Sequence, residues 1–307
     1  MSDYHIPVML DESISALVLN PSGTYIDATF GGGGHTAEIL SRLNDGGRVI
    51  AFDRDAEALR NAPKDARLTL VHNNFRYVEN YWEWMMKDSR NKSGNDGKGR
   101  NGKDGKGVDG ILADLGVSSH QFDTAERGFS FRFDDAPLDM RMNGQGGRTA
   151  AEFVNTCTEA DLEKVLRLYG EVDGSRRMAG LIAAARPVRT TGELSAAIAP
   201  MLPANAAHKV LAKVFQALRI EINGEMRSLE KFLEGASYSL KLGGRLVVIT
   251  YHSLEDRMVK HFIRECPRLK AVGKMALPGE EEIAANTRAR SAKLRVAEKT
   301  EEAAWQR

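Results

Sequence analysis

Cysteine is scarce in this chain, with Cys157 and Cys266 the only two among 307 residues. They lie far apart and show no metal or redox spacing, so they read as reduced thiols, and a disulfide framework is excluded. Excess charge is also missing. Lys and Arg number 43 against 42 Asp and Glu, a net +1, so no global field attracts a polyanion and any nucleic acid must be met by local basic patches. No apolar run approaches the roughly 20 residues that cross a membrane. The start, Met1-Ser-Asp-Tyr-His5, has no apolar signal core. A soluble cytoplasmic protein is expected, with no membrane partner. Hydrophobic content of 42% and charged content of 28% are ordinary for globular chains. The length suits one large domain and a smaller one.

What is present is glycine in one place. Thr24-Tyr-Ile-Asp-Ala-Thr-Phe30 runs directly into Gly31-Gly-Gly-Gly34, and a helical pattern opens after it with Ala37, Ile39, Leu40 and Leu43. Strand, glycine turn and helix make the first unit of a doubly wound α/β domain, whose ligand lies at the carboxyl end of the strand. Glycines there let a ligand lie against the backbone and allow positive φ angles. The following helix points free N–H groups into the turn. Gly32-x-Gly34-x-x-Ala37 fits a dinucleotide fingerprint, and the same loop could hold S-adenosylmethionine. The loop alone leaves both open.

Further units follow in order. Gly47–Asp53 reads as a buried strand ending on an acid about 20 residues past the glycines, where a ribose-binding acid is usual. Asp55 is the better cap for a helix over 56–61, which leaves Asp53 for the ligand. Leu68–His72 is a third strand, and Phe75 after it suits either the core or an adenine face. Tyr77–Met86 is amphipathic. Residues 87–107 hold no apolar side chain and are expected to form a disordered basic insertion, solvated or tethering RNA. Val108–Asp114 is a fourth strand, again ending on an acid. A glycine loop, Asp53 and Asp114 thus fall on one edge of one sheet.

Residues 122–143 are irregular and aromatic. Phe129, Phe131 and Phe133 alternate as a core-packing strand would, or as a surface for stacking bases. Helical patterns over 149–205 interrupt the alternation and predict a small inserted domain, 135–205, within an α/β domain of 1–134 and 206–307. Helices are expected over 206–221 and 225–242, the latter ended by Gly243-Gly244. Arg245–His252 is a fifth strand, Ser253–Asp256 a capping box, and 288–299 a last strand with a basic face.

Assembled, these strings closely resemble one family, the MraW family of bacterial small-subunit ribosomal RNA methyltransferases. The shared strings are His5-x-Pro-Val8, Asp27-x-Thr-Phe-Gly-x-Gly-Gly-His35, Asp114-Leu-Gly-Val-Ser-Ser-x-Gln121 and Arg127-Gly-Phe-Ser-Phe131. They continue with Pro137–Met142, Phe215–Ile220, His252–Arg257 and Arg288–Arg295. The resemblance runs nearly end to end. It departs in the 87–107 tract and at His208–Val214. It implies a Rossmann-like class I methyltransferase fold, and S-adenosylmethionine bound by Gly33, Gly34, His35, Asp53, Phe75, Asp114 and Gln121. The substrate it implies is 16S ribosomal RNA in the assembled small subunit, methylated on N4 of a decoding-centre cytidine. A homodimer is compatible with it, and no metal is expected.

The amino lone pair of cytosine is delocalised, so an acceptor near its hydrogens is needed to orient it and take up charge. Asp114, or a carbonyl near Leu115 and Gly116, is the candidate. Asp114-Leu-Gly-Val117 lacks the two prolines and the aromatic that many amino-methyltransferases carry at this point. A stacking surface must come from elsewhere. Phe129, Phe131, Phe133 and Tyr251 are candidates, with His252 and Ser253 near the same edge. Basic residues of the insertion and the tail, Arg288 and Arg290 among them, are expected at RNA phosphates.

Overall fold

The computed structural model describes residues 7–60, 62–92, 107–144 and 146–300. His5 of the first shared string and residues 93–106 of the insertion lie outside them. The chain forms two compact units. One comprises residues up to Gly116 and from Arg227 onward; the other is Val117–Met226.

The first unit is a seven-stranded sheet. Its strands are β1 (Thr24–Asp27), β2 (Arg48–Asp53), β3 (Leu68–His72), β4 (Val108–Asp114), β5 (Leu240–Thr250), β6 (Leu269–Ala271) and β7 (Lys293–Lys299). They lie in the order β3-β2-β1-β4-β5-β7-β6, with β1 to β5 parallel and β7 antiparallel to both neighbours. The order reverses at β1, beside β4, which is where such sheets open a crevice at their carboxyl ends. This is the Rossmann-like α/β fold the alternation predicts. Inner parallel strands bury both faces and therefore read as continuous apolar runs, as in Val49-Ile-Ala-Phe52, all buried. One face packs on α1 (Leu10–Leu17) and α2 (Gly34–Arg42) through Ile14, Leu17, Ile39 and Leu40. After the short α3 (Ala56–Leu59), α4 (Val78–Lys92) sets Tyr81 edge-on to Phe52 at 5.4 Å.

The second unit is helical: α5 (Ser119–Asp123), α6 (Ala150–Thr156), α7 (Glu159–Gly170), α8 (Ser175–Ala184), α9 (Thr191–Ile198) and α10 (Ala207–Asn223). Thr149, Thr158 and Thr190 cap three of these helices through their side chains. One core joins Phe129, Leu138, Phe153, Leu166 and Ile182 to Val214, Phe215 and Leu218 of α10. That core is why the unit extends past the expected 135–205. The aromatic run and α10 both bury their apolar faces in it, so they belong to the helical unit.

Local expectations change at several points. No strand forms at 129–133. Phe129 is buried, and Phe131 packs edge-on against Phe215 at 5.3 Å and His208 at 4.8 Å. α4 continues to Lys92, so residues 87–92 of the expected disordered tract are helical. Gly243 and Gly244 do not end a helix. α11 (Glu225–Ser239) stops earlier and β5 starts at Leu240, with a register shift opposite Val108 that takes up the glycines. Both cysteines are buried free thiols. Among the described residues no helix is long and apolar enough to cross a membrane.

Candidate active site

Parallel register brings β1, β2 and β4 to a common edge, where each ends on an acid: Asp27, Asp53 and Asp114. Burying carboxylates is costly unless donors meet them, and each of the three has found donors differently.

Asp27 is fully buried. It accepts the Thr36 hydroxyl at 2.6 Å and the Thr29 N–H at 3.0 Å, and burial raises its pKa against those bonds. Asp53 accepts the N–H of Gly31 at 2.8 Å and that of Asp55 at 2.8 Å. It therefore fastens the glycine loop to the end of β2. Burial raises it to about 6. Asp55 caps α3 through the Glu57 N–H at 3.1 Å, as its position predicts.

The glycine loop is shaped by φ at two places, Gly31 (+52°) and Gly33 (+78°). Crowding comes from the protein itself: a Cβ on Gly33 would lie 2.8 Å from the Phe30 ring, and one on Gly34 would lie 2.2 Å from Cγ of Pro7. Gly33 is the N-cap of α2 and offers no capping side chain. The first-turn amides of Gly34, His35 and Thr36 therefore stand outside the helix ladder, which begins with Ala37 N–H to Gly33.

Asp114 is the acid left with an open side. Its side chain is 24% exposed. Its backbone N–H donates to the Thr29 hydroxyl at 2.7 Å, and Oδ1 accepts the Tyr251 hydroxyl at 2.7 Å. His35 lies on the other side, with Nδ1 3.8 Å from Oδ2. Nε2 of His35 meets the Val8 carbonyl at 3.2 Å. A carbonyl only accepts, so Nε2 is the donor in that contact. Burial raises Asp114 to about 6, opposed by His35 and the Tyr251 hydroxyl. Tyr251 is driven well above 10 by its own burial and by the Asp114 charge, so it stays a donor.

Tyr251 and His252 are held by α12 (Ser253–Glu265). Glu255 is buried and accepts the N–H groups of Tyr251 at 2.9 Å and His252 at 3.3 Å. The N-cap is His252, one residue before the expected Ser253, because its ring Nδ1 takes the Glu255 N–H at 3.4 Å. Arg288 and Arg290 lie in the turn Thr287–Ser291 that leads into β7. Since Lys293 pairs with Thr250, that turn comes to the same end of β5.

The sheet unit thus brings together Gly33, Gly34, His35, Asp53 and Asp114 with Tyr251, His252 and Ser253. Phe75 follows β3 in a short turn, edge-on to Phe232 at 5.2 Å. Gln121 and Phe131 belong to the helical unit, where buried Gln121 closes a capping box with Ser118. The basic face expected of the last strand is spent internally. Arg295 and Lys293 pair with Asp256 at 2.7 and 3.3 Å, and Lys299 donates to the Tyr238 and Leu240 carbonyls. Asp27 and Thr29 were missed as site residues, although Asp27 ends its strand as Asp53 and Asp114 do.

A family model described as the MraW methylase family matches residues 2–300. The ribosomal RNA small subunit methyltransferase H of Bacteroides fragilis (strain YCH46) is 49% identical over 315 residues, 96% of this chain and 97% of its own. The protein of the same name from Flavobacterium johnsoniae is 45% identical over 315 residues, 97% and 98% of the two chains. Among solved structures, an rRNA methylase from Streptococcus thermophilus aligns over 95% of this chain and 93% of its own at 13% identity and a TM-score of 0.37, too low a likeness to carry an argument.

Proposed function

The chain belongs to the MraW methylase family, and we propose that it uses S-adenosylmethionine to methylate N4 of a decoding-centre cytidine in 16S ribosomal RNA, acting in the cytoplasm on the small subunit. The observation that carries this reading is Asp114, an acid at the end of β4 with one oxygen held by Tyr251 and the other open.

The edge suits such a cofactor. The uncapped start of α2 offers amides to a carboxylate, and Asp53 and Asp114 offer acceptors to hydroxyl or ammonium groups. In this reading Gly33, Gly34, His35, Asp53, Phe75 and Asp114 of the sheet unit hold it. Bound there, the cofactor supplies a methyl group that is already electrophilic.

The protein's share is alignment and proton handling. Oδ1 of Asp114 accepts the Tyr251 hydroxyl, and Nδ1 of His35 lies 3.8 Å from Oδ2, beyond hydrogen-bond distance. Oδ2 therefore keeps its acceptor capacity for an N–H donor, the character of a cytosine amino group. That nitrogen must shed a proton once it gains a methyl. A carboxylate near pKa 6 is ionised at neutral pH and can take the proton and pass it to water. Tyr251, His252 and Ser253 are the residues we assign to the base, and Arg288 and Arg290 to its phosphates.

The test is transfer of labelled methyl to small subunits and to free RNA, with mass mapping of the product. Asp114→Asn should lower turnover by roughly 10²–10⁴ and weaken cofactor binding as well. No incorporation into any RNA would overturn the reading, and full transfer by Asp114→Asn would remove the acid's role.

A further inference from the structure

With a net charge of +1, an RNA partner must be gripped by a local concentration of cations, and the tail strand has already spent its own on Asp256 and on backbone carbonyls. One cleft in the sheet unit has the missing character. It measures about 420 Å³, within the range of sites that take a nucleotide-sized group. The second half of α12, the edge strand β6 and the turn 272–275 enclose it. Lys260, Arg264, Lys270, Lys274 and Arg295 line it, and among the described residues no acid does.

The cations divide by what they already hold. Arg295 is fixed by Asp256 at 2.7 Å, and Arg264 makes only an exposed pair with its neighbour Glu265, worth little in water. Lys260, Lys270 and Lys274 are exposed on three different elements. The floor is apolar, with Ile263 and Leu269 buried and Met275 36% exposed. Among the described residues no aromatic side chain lines the cleft, so they offer cations to a backbone and no stacking platform for bases. It also lies apart from the acids. β6 pairs with the far end of β7, at Ala297–Lys299, whereas the end at Lys293 adjoins Thr250 and the candidate active site.

We infer that this cleft is a sequence-independent docking site for the phosphate backbone of the RNA substrate, away from the base that is modified. The inference rests on the RNA reading above. It identifies where the polyanion is held, and the strand-end acids themselves would repel that polyanion.

The experiment measures equilibrium binding of transcribed small-subunit ribosomal RNA to the full chain as salt is varied. It compares the wild type, the triple variant Lys260→Gln/Lys270→Gln/Lys274→Gln, and a control with the same charge change at exposed Lys64, Lys164 and Lys231. Three lost phosphate contacts should reduce the slope of log affinity against log salt by about 2, at roughly 0.7 per contact. Binding at about 0.1 M salt should weaken on the order of a hundredfold. The control should stay near wild type, and thermal melting should show all three folded. Equal slopes for the cleft variant and the wild type, as expected if the cleft serves an acidic protein, would overturn the inference. So would an equal loss in the control, which would mean that only net charge matters. Methyl transfer is read separately. If the wild type binds RNA with the expected slope difference but methylates none, the cytidine reading fails and the cleft stands.

Discussion

Tyr251→Phe should move the acid limb of methyl transfer to higher pH. The Tyr251 hydroxyl donates to Oδ1 of Asp114 at 2.7 Å, and Asp114 titrates at about 6 because burial outweighs that bond and the nearby His35. A hydrogen bond to a charged group is worth about 1.5–3 kcal/mol, and one pKa unit is about 1.4 kcal/mol, so the lost bond is worth one to two units. The Asp114 side chain is 24% exposed, which lets water replace part of the bond and favours about one unit. The acid should then titrate near 7. At about pH 6.5 its ionised fraction falls from roughly three-quarters to one-quarter, a threefold loss of rate, while at about pH 8 both proteins are nearly fully ionised. Tyr251 itself is held well above 10 and does not titrate in this window. The assay is the initial rate of labelled methyl incorporation at constant ionic strength across that range. An acid limb that stays in place, or moves down, refutes the reasoning. A uniform loss at every pH would reduce the hydroxyl to a positioning group.

Three further outcomes follow from the same structure. A carboxyl whose folded pKa is raised from 3.8 to about 6 stabilises the fold fully below pH 3.8 and loses that contribution as pH rises through 6, about 3 kcal/mol in all. Asp114→Asn cannot ionise, so urea melts should show it gaining up to that amount on the wild type between pH 4 and pH 8, and an unchanged gap would refute the linkage. Gly34→Ala drives a Cβ to within 2.2 Å of Pro7; displacing that segment should cost about 1–3 kcal/mol, seen as a lower urea midpoint. In the helical unit, buried Asn223 accepts the Met142 N–H at 2.8 Å and donates to the Met140 and Arg219 carbonyls at 2.7 and 2.9 Å. Asn223→Ala should cost about 2–3 kcal/mol and speed hydrogen exchange across α10, leaving that of β1 and β2 unchanged.

Local pattern carried the parts of the fold that local forces decide. Val49–Phe52 and Ile111–Ala113 are apolar without interruption because parallel strands bury both faces, so strands, glycine turn and strand-end acids were legible. What needed distant partners was not. β6 has three residues, too few to show a period. Gly243 and Gly244 look like a helix stop, and only pairing with Val108 and Gly110 draws them into β5. The phenylalanines at 129 and 131 alternate like a strand, yet α10 supplies the surface they pack on. The basic tail read as an RNA contact because Asp256, which neutralises much of it, lies on α12, more than thirty residues earlier in the chain.

The three strand-end acids show the same division within the site. Their placement follows from sequence, since each closes an apolar strand of the same sheet. Their availability does not, because it depends on which donors the adjoining turns bring. Thr36 and Thr29 take up Asp27, and the amides of Gly31 and Asp55 take up Asp53. These two acids set the shape of the glycine loop by accepting from it. At Asp114 the donor comes from β5's end, through Tyr251, and reaches one oxygen only. The remaining oxygen lies 3.8 Å from Nδ1 of His35, beyond hydrogen-bond distance. Of the three, Asp114 is the one that keeps an oxygen with no donor in hydrogen-bond reach among the described residues, and its pKa near 6 destabilises the fold at neutral pH in a way that a merely structural acid would not need.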